Sequence, residues 1–172
     1  MFDRERLGRI YLVGFMGVGK TTVGECLAEE LRFRFIDLDR EIEKESGRTI
    51  PEIFSDGGET EFRRLEARAL RIAATTRDAV IAAGGGTLTL SENRDLMRRT
   101  GVTVWLDAPL EVMLERCRGG EHRPLLADPQ TMGALLAERL PAYRQADLRV
   151  DASGDPPGVL AFRIISMIAI VR

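Results

Sequence analysis

Five short apolar runs recur along the chain, each followed by a stretch whose apolar positions return at helical spacing. Ile10 to Val13, Phe33 to Ile36, Val80 to Ala83, Val102 to Leu106 and Leu148 to Val150 lack clean polar alternation. That pattern marks strands covered on both faces, as in a parallel sheet. Between them, Val23, Cys26, Leu27 and Leu31 form one helical stripe. Leu110, Met113, Leu114 and Cys117 form a second, after Pro109 at a first-turn position and before Gly119-Gly120. Ser91 is placed to cap a further helix that Gly101 ends. From Thr131 onward, Met132, Leu135, Leu136, Leu140 and Tyr143 mark another buried face. The most apolar stretch, Val159 to Val171, is broken by Arg163 and too short to span a bilayer, so it reads as a closing helix. Strands alternating with helices, without repeat or linker, predict a single α/β domain over residues 1–172. Its expected form is three layers, a five-stranded parallel sheet flanked by helices.

Composition narrows the possible functions. Hydrophobic residues make up 44% and charged residues 30%, which excludes a wholly disordered chain. A net charge of −2 argues against a nucleic-acid binder relying on a broad basic face. Only Lys20 and Lys44 of the 25 basic residues are lysines, so a single arginine carries little information and each lysine warrants inspection. Cys26 and Cys117 have no metal or redox spacing around them and read as small core residues in a reducing compartment. The mixed charge of the first six residues does not fit a signal peptide. His122, the single histidine, reads as an exposed loop residue and argues against a multi-histidine metal site or a Ser-His-Asp hydrolase. The expected protein is cytoplasmic and monomeric, with neither nucleic acid nor membrane as partner.

The first strand runs directly into Gly14-Phe15-Met16-Gly17-Val18-Gly19-Lys20-Thr21, with a helix after it. This is G-x-x-x-x-G-K-[ST] in the strand-then-helix context the motif needs, a P-loop NTPase-type start. Glycines let the backbone wrap until successive N–H groups point at phosphate oxygens, and the helix adds the positive end of its dipole. Gly17, Val18, Gly19, Lys20, Thr21 and Thr22 are therefore the expected nucleotide contacts. Lys20 would meet the β- and γ-phosphates, and the Thr21 hydroxyl would ligate Mg²⁺.

Other positions are less specific. Asp37 and Asp39, two apart after the second strand, would point together toward the carboxyl edge of the sheet. One could serve Mg²⁺ while the other accepts a proton or hydrogen bond from an acceptor hydroxyl; alternatively Asp39 caps the helix from Arg40. Gly84-Gly85-Gly86 after the third strand reads either as a close approach for a substrate or as a turn. Arg139 falls on the apolar face of its helix, where it lines a cleft or snorkels near Pro141. Arg63, with Glu59 at i−4 and Glu66 at i+3, fits an ordinary surface ion-pair ladder, although Glu66 lies toward the apolar side. Arg123 sits in the segment Gly119 to Pro129, which reads either as a lid bringing an arginine onto phosphate or as a surface connection.

Taken together, these segments resemble the shikimate kinase family, in the nucleoside-monophosphate-kinase-like branch of the P-loop fold. The resemblance rests on Leu12 to Thr22, Phe35-Ile36-Asp37-Leu38-Asp39, Ile53-Phe54 through Gly58-Glu59, and Phe62-Arg63-x-x-Glu66. It continues through Gly84-Gly85-Gly86, Arg123-Pro124-Leu125-Leu126 and Arg139-x-x-x-Tyr143. It implies transfer of the ATP γ-phosphoryl group to the 3-hydroxyl of shikimate, with ATP and Mg²⁺. By the same resemblance Asp39, Arg63, Gly84, Gly85, Gly86 and Arg139 form the acid site. Within it Arg63 and Arg139 clamp the carboxylate, Asp39 contacts the reacting hydroxyl and Glu66 orients Arg63. Asp37 and Thr21 help hold Mg²⁺, Lys20 and Arg123 neutralise phosphate charge, and Arg116 packs on adenine. A lid at about 119–130 and a substrate-binding helical segment at about 39–66 complete the implied layout. The rival readings are a kinase of the same branch acting on another hydroxy acid such as gluconate, and a ligand-binding sensor without turnover.

Overall fold

The computed structural model describes residues 6–118 and 128–170. Five parallel strands are present: β1 (Arg9–Val13), β2 (Arg34–Asp37), β3 (Ala79–Ala82), β4 (Val102–Asp107) and β5 (Leu148–Asp151). Their order across the sheet is β2-β3-β1-β4-β5. Seven α-helices are seen among the described residues: α1 (Lys20–Leu31), α2 (Leu38–Ser46), α3 (Ile50–Ala73), α4 (Ser91–Thr100), α5 (Leu110–Arg118), α6 (Pro129–Tyr143) and α7 (Pro157–Ile170). The expected α/β architecture is the one observed.

Every residue of β1 and β3 is buried, which accounts for the missing polar alternation, since helices cover both faces of an interior parallel strand. Register is tight at the centre, where Leu12 stands between Ala82 of β3 and Val104 of β4. With all strands parallel, the segments after β1, β2 and β3 emerge on one edge, bringing residues 14–19, Asp39 and Gly84–Gly86 together.

Several boundaries differ from expectation. Phe33 is not in β2: its N–H donates to the Ala28 carbonyl, closing α1 behind Arg32, which has φ 56°. The third strand runs one residue earlier than expected, and Ala83 extends its pairing only by a bond to the Leu12 carbonyl. Ser91 is the first residue of α4, with Leu90 as its cap residue, while Gly101 ends the helix as expected. Pro109 lies just before α5 and accepts bonds from the Val112 and Met113 amides. α6 begins earlier than Thr131 because the Asp128 carboxylate accepts from the Thr131 amide. Residues 129 and 130, counted in the expected lid, therefore belong to α6, while 119–127 lie outside the described residues. α3 is broken at Gly58, whose φ of 66° and ψ of −169° interrupt the helix. Cys26 and Cys117 are half-buried free thiols packed against the core. Among the described residues no helix is long and apolar enough to cross a membrane.

Candidate active site

The loop after β1 has positive φ at Gly14, Gly17 and Gly19. At Gly17 the chain is also crowded: a side chain there would lie 2.6 Å from the Met113 carbonyl and 2.7 Å from the Cys117 sulfur. Gly19 caps α1 with no side-chain hydrogen bond, leaving the first-turn amides directed outward. The Val18 side chain is buried in the core. The Lys20 ammonium donates to the Gly14 and Phe15 carbonyls at 2.9 and 3.0 Å, arching over the loop. Thr22 is exposed, its hydroxyl directed back to the Gly19 carbonyl at 3.4 Å. Arg116 links this loop to the far edge of the sheet by donating to the carbonyls of Val18, Ala152 and Ser153.

The two aspartates have separate positions. Asp37 ends β2 and caps α2: its Oδ1 accepts from the Asp39 and Arg40 amides, and its Oδ2 accepts from the Thr21 hydroxyl at 2.9 Å. The cap is thus Asp37, and Asp39 lies inside the first turn of α2. Both aspartates reach the carboxyl edge of the sheet, and the alternative that Asp39 caps the helix is corrected, because α2 starts directly after Asp37. Asp39 instead turns toward the glycine run, its Oδ1 lying 3.4 Å from where a Cβ on Gly84 would stand.

Gly84–Gly86 is a cradle defined by what surrounds it. A Cβ on Gly84 would sit 2.7 Å from Glu66 Oε1, and one on Gly85 would sit 2.9 Å from Arg139 Nη1. A Cβ on Gly86 would overlap the Arg63 guanidinium. All three contacts involve polar groups brought in by other elements, so the glycines here are needed for close approach and not for mobility. The structure accordingly brings Asp39, Arg63, Arg139 and the three glycines to one place.

Each arginine has its own support. Arg63 Nη1 donates to Glu66 Oε2 at 2.7 Å, while its Nε and Nη2 donate to Glu59 Oε1 at 3.2 and 3.1 Å. Both partners of the expected ladder are used, but unequally: Glu59 is 69% exposed and Glu66 is 0% exposed. Burial lowers the Arg63 pKa, but the charge and hydrogen bond of Glu66, with those of Glu59, outweigh it and hold it above its ordinary value. Arg139 does not snorkel to solvent: its guanidinium carbon stands 5.6 Å from the Phe15 ring centroid, a cation–π geometry. One turn on, the Tyr143 hydroxyl donates to the Gly85 carbonyl. Burial is the main cause that pushes the Tyr143 phenol up to about 12, with the neighbouring Arg139 charge acting in the opposite direction. Arg123 lies outside the described residues.

A family model described as shikimate kinase matches residues 16–169. The chain belongs to the shikimate kinase family. It is 45% identical over 160 residues to the shikimate kinase of Persephonella marina, covering 92% of this chain and 98% of that protein. The structure of the shikimate kinase from Acinetobacter baumannii in complex with shikimate superposes with a TM-score of 0.93 at 40% identity, covering 98% of this chain and 96% of that one. A gluconokinase from Sinorhizobium meliloti, at 22% identity and a TM-score of 0.64 with 98% and 95% coverage, shares the fold alone. Within the shikimate kinase family the chain is an ATP-dependent kinase, and the cleft at Gly84–Gly86 lies on the same sheet edge as the P-loop.

Three residues that sequence reasoning did not select contribute to this site. Tyr143 appeared only as part of a motif, and its bond to Gly85 could not be read from helical spacing. Thr87 follows the glycines and donates from its hydroxyl to Glu66 Oε1 at 2.5 Å. Asn93 in α4 donates to the Thr87 carbonyl at 3.1 Å. A polar residue directly after three glycines and before Leu88 was the available signal for Thr87.

Proposed function

We propose that this chain transfers the γ-phosphoryl group of ATP to the 3-hydroxyl of shikimate, giving shikimate 3-phosphate and ADP. The observation that carries this reading is the convergence of Arg63, Arg139 and Asp39 on Gly84–Gly86, beside the P-loop. Two guanidiniums in one cleft suit a carboxylate, which accepts paired N–H donors. Glycines without Cβ leave the acid room to lie against backbone. In this reading Asp39 accepts the hydrogen bond of the attacking hydroxyl and takes its proton as the new O–P bond forms. The bond between the γ-phosphorus and the bridging oxygen breaks, and the leaving oxygen departs with ADP. Lys20 swings from the loop carbonyls to the β- and γ-phosphates, and the outward amides of α1 hold the other phosphate oxygens.

The oxygen pair Thr21 and Asp37, 2.9 Å apart at the head of α1, fits a small hard cation that keeps waters and substrate phosphates among its ligands. We assign to these two residues the binding of Mg²⁺, which when bound neutralises charge on the phosphates. To Arg116, which donates to the carbonyls of Val18, Ala152 and Ser153, we assign packing on the adenine ring.

A coupled assay of ADP release over a panel of small acids, with product identified by phosphorus NMR, tests the reading. Turnover with shikimate and none with gluconate is expected. Turnover with gluconate and none with shikimate would reject it.

A further inference from the structure

We propose that Thr87 is a positioning residue for the acid substrate, acting through Glu66 on Arg63. This rests on the reading of Arg63 as a carboxylate contact. Glu66 is fully buried, where a carboxylate must be met by donors on both oxygens. Oε2 accepts from Arg63 and Oε1 accepts from the Thr87 hydroxyl. The two bonds divide the carboxylate, so the Thr87 hydroxyl fixes which oxygen remains for the arginine. The exposed Glu59 gives Arg63 only a surface contact that does not fix its depth in the cleft.

Thr87 is itself held firmly. It is 0% exposed, its amide donates to the Gly84 carbonyl at 3.1 Å, and its own carbonyl accepts from the buried Asn93 amide. Arg94 adds bonds to the next two carbonyls, of Leu88 and Thr89. Helix α4 therefore anchors the turn that presents the hydroxyl to α3. Gly84 keeps the path clear, since a Cβ there would meet both Glu66 Oε1 and, at 3.3 Å, Thr87 Oγ1. The glycine run and Thr87 form one unit: the glycines admit the arginines and acid, and Thr87 sets one arginine from behind.

The test compares Thr87→Val, which keeps shape but removes the donor, with Thr87→Ser, which restores it, and with Arg63→Ala. Thr87→Val leaves a buried acceptor unmet and is expected to raise the KM for shikimate about tenfold. The kcat and the KM for ATP should stay within about twofold, and Thr87→Ser should recover the parent KM. In an Arg63→Ala background, Thr87→Val should add less than about twofold, because its partner is already gone. Should Thr87→Val fail to fold, Thr87→Ala carries the same expectations. An unchanged shikimate KM in Thr87→Val, with a raised one in Arg63→Ala, would overturn the role of Thr87 alone. So would a full further increase in the Arg63→Ala background, or equal losses for ATP and shikimate. An unchanged shikimate KM in Arg63→Ala would instead remove the reading of Arg63, and the proposal with it.

Discussion

The P-loop draws its amides, its lysine and its threonine from one short stretch after β1, and most of what it offers is backbone. The cleft at Gly84–Gly86 collects side chains from α2, α3 and α6, spread between positions 39 and 143, around a turn whose own contribution is empty space. In the first region glycine serves conformation: Gly14, Gly17 and Gly19 have positive φ. In the second it serves proximity, and Gly86 has an ordinary φ of −104°. The same residue type answers two physical demands in one site. A loop of amides suits any nucleoside triphosphate, whereas a cleft of oriented side chains suits a more particular ligand.

The comparison is broken most sharply by Lys20→Ala. It removes the ammonium proposed to meet the phosphates and leaves the side chains around Gly84–Gly86 in place. We expect kcat to fall about 10³-fold, with shikimate still raising the melting temperature of the variant. Loss of that stabilisation would mean that the two regions are not separately built. A smaller effect is expected from Gly86→Ala. The new methyl overlaps the Arg63 guanidinium without straining the backbone, so the shikimate KM should rise about tenfold while the ATP KM is preserved. An unchanged shikimate KM in steady-state kinetics would show that Arg63 can yield without cost.

This division also explains what could be read in advance. The P-loop was legible because its geometry is local, and a strand, a glycine spacing and a helix specify it together. The cleft at Gly84–Gly86 was not legible from local pattern. Glu59, Arg63 and Glu66 have the same spacing in a solvated ladder and in a buried strut, and only the packing of α3 on the turn at Thr87 separates them. That contact joins residues 21 apart in the chain. Arg139 was ambiguous for a similar reason, since its place over Phe15 depends on the loop after β1. The family resemblance implies those roles, and the structure brings the residues concerned together around Gly84–Gly86. Asp39 was ambiguous on sequence because an aspartate before Arg40 also suits a helix cap; the immediate start of α2 gives the cap to Asp37 and turns Asp39 to the cleft. The one-residue shifts at β2 and β3 arise where a tight helix end and a glycine turn truncate the apolar runs.

In the proposed function the acid is held by its own assembled cleft and the nucleotide by the P-loop. Thermal shift of Arg139→Ala, with shikimate alone and with Mg-ATP alone, tests it most directly. The parent chain should be stabilised by each. Arg139→Ala should lose the shikimate shift, its affinity falling about tenfold or more, and keep the Mg-ATP shift. Loss of both shifts, or retention of both, would contradict the account.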